Sequence, residues 1–220
     1  RGRSQGHEPN YACGVAQADA LLGRLDAART RLEALKETLP AEERLIQAIV
    51  FGELGTVLAW QGEVDRGLEA AERSLQLVTA FADIPPLAAA VLFGPAEAFL
   101  ASWERAVECS RDRAETARLA SKTLRLLRKL WIWSGAYPIA RPQAIVFWAR
   151  AQRLRQKCGR ARKLCEQAIE LAERRGMPFE QGQAHLELAR ISAPGSEDRR
   201  IHQDLARALF QAIHAGYHLA

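Results

Sequence analysis

The sequence predicts an all-α protein: an α-solenoid of about five antiparallel helix hairpins with an enlarged middle hairpin. Three observations carry this. Ala, Leu, Arg, Glu and Gln dominate the 220 residues, and these cost least in a helix, while aromatics make up only 7%. Apolar residues recur at the helical period through nearly the whole chain. Small residues return at the same spacing in separate parts of the chain, which is the mark of a repeated packing unit.

The helical period places ten helices at roughly 9–23, 25–38, 41–61, 63–82, 86–102, 111–133, 139–157, 160–176, 178–192 and 198–215. Breaks between them are chemically marked. Leu39-Pro40 ends the second helix, because a residue before proline avoids the helical region. Ile84-Pro85-Pro86 separates the fourth helix from the fifth. Tyr137-Pro138 and Arg141-Pro142 bracket the start of the seventh, where proline is tolerated. Gly176-Met177-Pro178 pairs a C-terminal glycine with a proline opening the next helix. Ala193-Pro194-Gly195-Ser196 is a turn, and Ser196 or Asp198 is placed to cap the last helix.

Ala16 is followed seven residues on by Gly23 and five further by Ala28; Gly55 is followed in the same steps by Gly62 and Gly67. Two helices approach closely only where small residues face each other, and the tight turn between them favours glycine. The grid returns later as Ala149 with Ala168 and Ala189 with Ala208, with Gln156 and Ser196 at the turn positions. The anchors Ala16, Gly55, Ala149 and Ala189 are separated by 39, 94 and 40 residues. The long gap must hold an extra, enlarged hairpin at 86–133. The organisation expected is a disordered lead-in at 1–8 and a single repeat domain at 9–220, with regular repeats at 9–82 and weaker ones at 139–220.

These residues resemble the tetratricopeptide-repeat family: Leu54-Gly55 with Gly62 and Gly67; Ala16, Gly23, Ala28, Leu32, Leu35 and Pro40; and Ala149, Ala161 and Ala168. Steps near 40 exceed the family's usual 34 and resemble the C-terminal helical repeat regions of large bacterial signalling ATPases and adenylate cyclase-associated ATPases. The stretches Tyr137–Pro142, Ala172–Phe179, Ala184–Ala189 and Ala208–Ala220 resemble the same group. The resemblance implies a regulatory or sensor module that binds a protein, a peptide or another domain of its own polypeptide in a bacterial cytoplasm. The first residue is not methionine, which fits a piece of a longer protein.

The sequence has no GxxxxGK[ST], GxGxxG, HExxH or GxSxG segment and no aspartate-rich calcium loop. The expectation is a chain with no catalytic residue, no cofactor and no metal. His214 and His218 have a spacing that suits zinc but lack further ligands nearby, and read as ordinary terminal-helix residues. Cys158 and Cys165 are read as split across a turn at Gly159. Cys165 occupies a position expected in the core, equivalent to Leu32 and Leu205. Four cysteines without a CxxC pair predict free thiols rather than a disulfide framework. No run of 18 apolar residues predicts a membrane helix.

Two features are candidates for binding. The first helix of each hairpin lines an inner groove in such stacks. That places Asn10, Gln17, Thr56, Trp60, Gln143, Arg150, Arg153 and Arg190 inward. The arginines suit an acidic peptide, since guanidinium binds carboxylate through two hydrogen bonds. The second feature is a basic stripe on the sixth helix, formed by Arg111, Arg118, Lys122, Arg125 and Lys129 opposite Leu119, Leu126, Leu127 and Leu130. Net charge is +5, but Arg105 to Arg175 carries +12, leaving −7 for the rest. This asymmetry keeps a nucleic-acid-binding helical repeat open as an alternative, although stacking aromatics are not interleaved with the basic residues. A third reading is a small-molecule sensor with an apolar pocket near Phe93, Phe99, Trp103, Trp131 and Trp148.

Overall fold

A computed structural model describes residues 8–78, 89–110 and 112–219. Among these the chain is all-helical, with ten α-helices and no strand. They are α1 (Glu8–Leu21), α2 (Leu25–Thr38), α3 (Arg44–Trp60), α4 (Val64–Leu77), α5 (Ala90–Glu108), α6 (Arg113–Ala136), α7 (Arg141–Leu154), α8 (Cys158–Glu173), α9 (Pro178–Ile191) and α10 (Glu197–Ala212). All ten fall where the apolar period placed them. The expected lead-in 1–8 lies outside the described residues except for Glu8, which opens α1. The Pro85-Pro86 break and Arg111 of the basic stripe also lie outside them. α5 and α6 have 19 and 24 residues, the two longest helices described, in the region expected to be enlarged.

The helix ends follow from one device used repeatedly. After α1, the Gly23 amide donates to the Ala20 carbonyl and the Arg24 amide to that of Asp19. The same pair of bonds closes α3 through Gly62 and Glu63, α7 through Gln156 and Lys157, and α8 through Gly176 and Met177. It closes α10 through His214 and Ala215. This geometry satisfies the last carbonyls of a helix but needs one residue with positive φ. Gly23 and Gly62 both sit at φ 82°, while Gln156 and His214 adopt 58° and 56° despite carrying side chains. Gln156 therefore occupies the turn position that the repeat spacing assigned to it. In the last turn it is Gly195, at φ 76°, that takes the left-handed conformation. Ser196 instead caps α10, its Oγ accepting from the Arg199 amide at 3.2 Å.

The chain forms two compact units, Arg1–Leu126 and Leu127–Ala220, with the boundary inside α6. In the first unit, each of α1 to α4 packs on the next helix in sequence, and α3 also packs on α1 and α5. α3 is therefore covered on nearly every side; Gly52 to Ala59 are all buried. Close approach is made by small residues. A Cβ on Gly67 would lie 2.8 Å from the Gly55 carbonyl oxygen, and one on Gly94 would lie 2.4 Å from the Gly52 carbonyl. α4 buries Gly67, Ala70, Ala71 and Ser74 at helical spacing, and the Ser74 hydroxyl donates to the Ala48 carbonyl at 2.7 Å. The first core cluster gathers Cys13, Ala16, Ala28, Leu32, Leu54 and Val57.

In the second unit, α7, α8, α9 and α10 pack in sequence, and α7 also meets α9. α8 buries Ala161, Cys165, Ala168 and Ala172, the first three at the spacing of Gly67, Ala71 and Ser74 on α4. Three expectations need correction here. Ala208 is exposed, and Ala206 is the buried alanine of α10. Leu205 is 43% exposed and does not share the core role of Leu32 and Cys165. The cause is that α9 and α10 meet through an aromatic ring rather than a pair of alanines: Phe210 is fully buried, and a Cβ on Gly182 would sit 2.7 Å from it. Cys158 and Cys165 both lie in α8, so Gly159 is helical and does not separate them. Cys158 is exposed and Cys165 buried, and all four cysteines are free.

Candidate functional site

The first unit contains a cavity of about 530 Å³ where α1 faces α3. The α1 wall is a single helical face: Asn10, Cys13, Gly14 and Gln17 recur at steps of three, one and three. The α3 wall supplies Ile46, Ile49 and Glu53, with Glu43 and Leu45 nearer the helix start. Two of the eight groove residues expected from the sequence, Asn10 and Gln17, thus line a real concavity, and both are exposed. Gly14 widens it, since a Cβ there would meet nothing within 4 Å.

Glu53 is the unusual member. It is only 8% exposed, and no ion pair or hydrogen bond to its carboxylate is made among the described residues. Burial pushes its carboxyl up from 4.5 to about 7, because a low-polarity surrounding disfavours the charged form. The neighbouring Cys13 thiol is pushed up to about 11, first by its own burial and then by the Glu53 charge, so it is no nucleophile at neutral pH. The folded state holds the Glu53 proton longer than the unfolded chain does. Its contribution to stability is therefore intact below about pH 4.5 and is lost as pH rises to about 7. A shift of that size corresponds to about 3 kcal/mol. Glu53→Gln is expected to raise the unfolding free energy by about 3 kcal/mol at pH 8 and to leave it unchanged near pH 4, as read by urea titration.

The remaining groove residues go elsewhere. Thr56 is buried in the core, its Oγ1 within 3.4 Å of the carbonyl oxygens of Gly52 and Gly94, so it ties α3 to α5. Trp60 is half-buried against the first core cluster. Gln143 is buried on α7.

Arg150, Arg153 and Arg190 converge, but on an acid of the same chain. Glu187 of α9 is 3% exposed. Arg153 Nε donates to its Oε2 at 2.7 Å, and Arg190 donates to its Oε1. Burial alone would raise the Glu187 pKa, yet the charges of Arg190, Arg153 and Arg150 outweigh it and hold the carboxyl below its ordinary value.

On the same helix as Glu187, His185 stacks on His202 of α10 with ring centroids 5.2 Å apart and Nδ1 atoms 3.1 Å apart, one ring donating to the other. His185 is thus a hydrogen-bonded interface histidine. Asp198 lies 3.6 Å from His202 Nε2 and also accepts from Ser192 and, at 2.8 Å, from Arg162. Burial first, and then the His202 charge, lower the His185 pKa from 6.5 to about 4. Its folded form takes up a proton later than the unfolded chain, so its stability contribution is complete above about pH 6.5. It declines as pH falls and is lost by about pH 4, a total of about 3 kcal/mol. Between pH 7.5 and 4.5, wild type is expected to lose about 2–3 kcal/mol more than His185→Gln, measured as the difference of urea midpoints at each pH.

The stripe on α6 is exposed at Arg118, Lys122, Arg125 and Lys129, with Leu126, Leu127 and Leu130 buried on the other side and Leu119 half-buried. Lys122 Nζ is 2.7 Å from Glu72 Oε1 of α4. His214 sits beyond α10 with positive φ, and His218 stacks on Phe210, so the two do not share a helical face. No group of three or more metal-ligating side chains occurs among the described residues. No helix among them is long and apolar enough to cross a membrane. Trp131 packs edge-on against Trp148 with Arg141 over its ring, so this part of the expected apolar pocket is filled. Glu53 and Glu187 were not singled out from the sequence. The signal for Glu53 is a lone acid within an otherwise apolar helical stretch, and for Glu187 an acid between two leucines. No protein-family model matches the chain, and no curated protein matches its sequence.

Proposed function

We propose that this chain is a non-catalytic binding module, built as an α-solenoid of about five tetratricopeptide-like hairpins, that receives a peptide or a partner domain. The observation that carries this reading is the cavity between α1 and α3. It has an open mouth flanked by the amides of Asn10 and Gln17 and a buried carboxylate in its wall. A buried acid that no described residue compensates lowers stability, and such strain is characteristic of functional sites. The contacts of first helices in successive pairs, α1 with α3 and α3 with α5, fit a hairpin stack, as does that of α7 with α9. The module would serve as a sensor or scaffold part of a larger bacterial cytoplasmic signalling protein. Binding would be transmitted through small changes in superhelical curvature.

Peptide display on the immobilised chain tests the reading. Enrichment of a shared motif is expected, with affinity measured by fluorescence polarisation and lost on Asn10→Ala/Gln17→Ala. A display that enriches nothing argues against it. The exposed cations of α6 favour nucleic acid as the second reading. Retention on DNA that falls steeply with salt, and is abolished by charge reversal at Arg118, Lys122 and Arg125, would replace the peptide reading. Scattering curves that superpose with and without peptide would exclude the change in curvature.

A further inference from the structure

We propose that the cavity between α1 and α3 is a receptor for a primary ammonium group, presented by the partner as a lysine side chain; this rests on the reading of the chain as a peptide-binding module.

The cavity's chemistry selects the ligand. Among the described residues that line it, the one buried polar side chain is Glu53, about nine-tenths removed from solvent and supplied with no cation or hydrogen-bond donor by the others. Among the described residues no lysine or arginine lines the cavity, and Glu43 adds a second negative charge. An ionised carboxylate in such a place is unfavourable unless a cation joins it. An ammonium group has three N–H donors and no acceptor, which suits one carboxylate together with the amide oxygens of Asn10 and Gln17. Ile46 and Ile49 offer apolar surface for a methylene stem, as long cationic side chains require.

Gly14 is the second, independent observation. It lies in the middle of α1, where glycine costs about 1 kcal/mol relative to alanine. No close helix approach explains it, since a Cβ would meet nothing within 4 Å. Its place on the cavity wall does explain it: a larger side chain would occupy the space into which a ligand enters.

With its carboxyl pushed up to about 7 by burial, Glu53 is about half protonated near neutral pH. An arriving ammonium would hold it ionised, so its proton is released on binding and affinity rises with pH.

The probe is Nα-acetyl-lysine N-methylamide, titrated into the full chain by calorimetry at pH 6 and pH 8, with its Nε-acetylated form as the uncharged control. Binding is expected to be about tenfold tighter at pH 8, with net proton release revealed by buffers of different ionisation enthalpy. Glu53→Gln should weaken binding at pH 8 at least about tenfold and remove the pH dependence. Gly14→Leu, which keeps the charge and fills the space, should weaken it as much. The inference is overturned if the Nε-acetylated probe binds equally well, if Glu53→Gln leaves binding intact, or if no heat appears at about 10 mM amine. Amine binding as expected, with no displayed peptide captured, would retain the ammonium site and reject the peptide-module reading. Displayed peptides whose binding ignores lysine acetylation would do the reverse.

Discussion

Gly94→Ala is expected to destabilise the first unit by about 4 kcal/mol, a larger loss than an exposed substitution produces. The added Cβ would lie 2.4 Å from both the carbonyl carbon and the oxygen of Gly52. Those atoms belong to the backbone of α3, which is held by α1, α2, α4 and α5 at once, so it cannot move aside cheaply. Relief requires α5 to withdraw, which lengthens the contacts of Thr56 with Gly52 and Gly94. Alanine gains about 1 kcal/mol of helix propensity, and the overpacking cost exceeds it because both partners are rigid main chain. The control is Gly14→Ala in α1. There the Cβ meets nothing, so the same exchange is expected to stabilise by about 0.5–1 kcal/mol. Urea unfolding followed by tryptophan fluorescence and circular dichroism checks both. A Gly94→Ala loss under about 1 kcal/mol would mean that α3 and α5 do not meet as described.

The elements legible in the sequence are those set by local chemistry. Helix ends at Pro40 and Gly176, and the turn at Gln156, follow from backbone rules that act over a few residues, and they agree to within a few positions. The small-residue grid was legible wherever the repeat keeps alanine or glycine at the contact, as at Gly55 with Gly67 and Ala149 with Ala168. It failed at α10, where Phe210 fills the space against Gly182 and shifts the buried alanine from 208 to 206. Gly159 misled because glycine is tolerated in a helix's first turn and does not by itself make a break. The candidate site was half legible. Asn10 and Gln17 share a helical face and line the cavity, but Glu53 is 36 residues beyond Gln17 and reaches it only through the packing of α3 on α1. Arg150, Arg153 and Arg190 were expected along a groove lining, and the structure gathers them around an acid of the same chain instead. Their acid, Glu187, is 34 residues from Arg153, and linear spacing does not reveal that a guanidinium finds its partner one repeat later.

That internal pairing changes what the arginines do, and Glu187→Gln measures the change. The substitution preserves shape and leaves an oxygen for Arg153 Nε, but it removes the charge that three guanidiniums surround. Arg153 is 16% exposed and Arg190 46%, so the Arg153 interaction carries most of the effect while solvent screens that of Arg190. Breaking a buried pair by removing one partner strands the other in a poorly solvated place, at a cost of about 3–5 kcal/mol. A loss of about 4 kcal/mol at pH 7 is therefore expected for the second unit. The sign with pH follows from the lowered Glu187 pKa: the pair's contribution is present above the ordinary carboxylate range and is lost as pH falls through the lower folded value. The gap between wild type and Glu187→Gln should accordingly narrow as pH falls below the ordinary carboxylate range, as measured by urea midpoints across a pH series. Arg153→Gln in the Glu187→Gln background should cost much less than in wild type, because the two side chains lose one shared interaction. Additive losses, or a Glu187→Gln effect under about 1 kcal/mol, would show that the cluster is free to hold an external carboxylate and would restore the acidic-peptide expectation for these arginines.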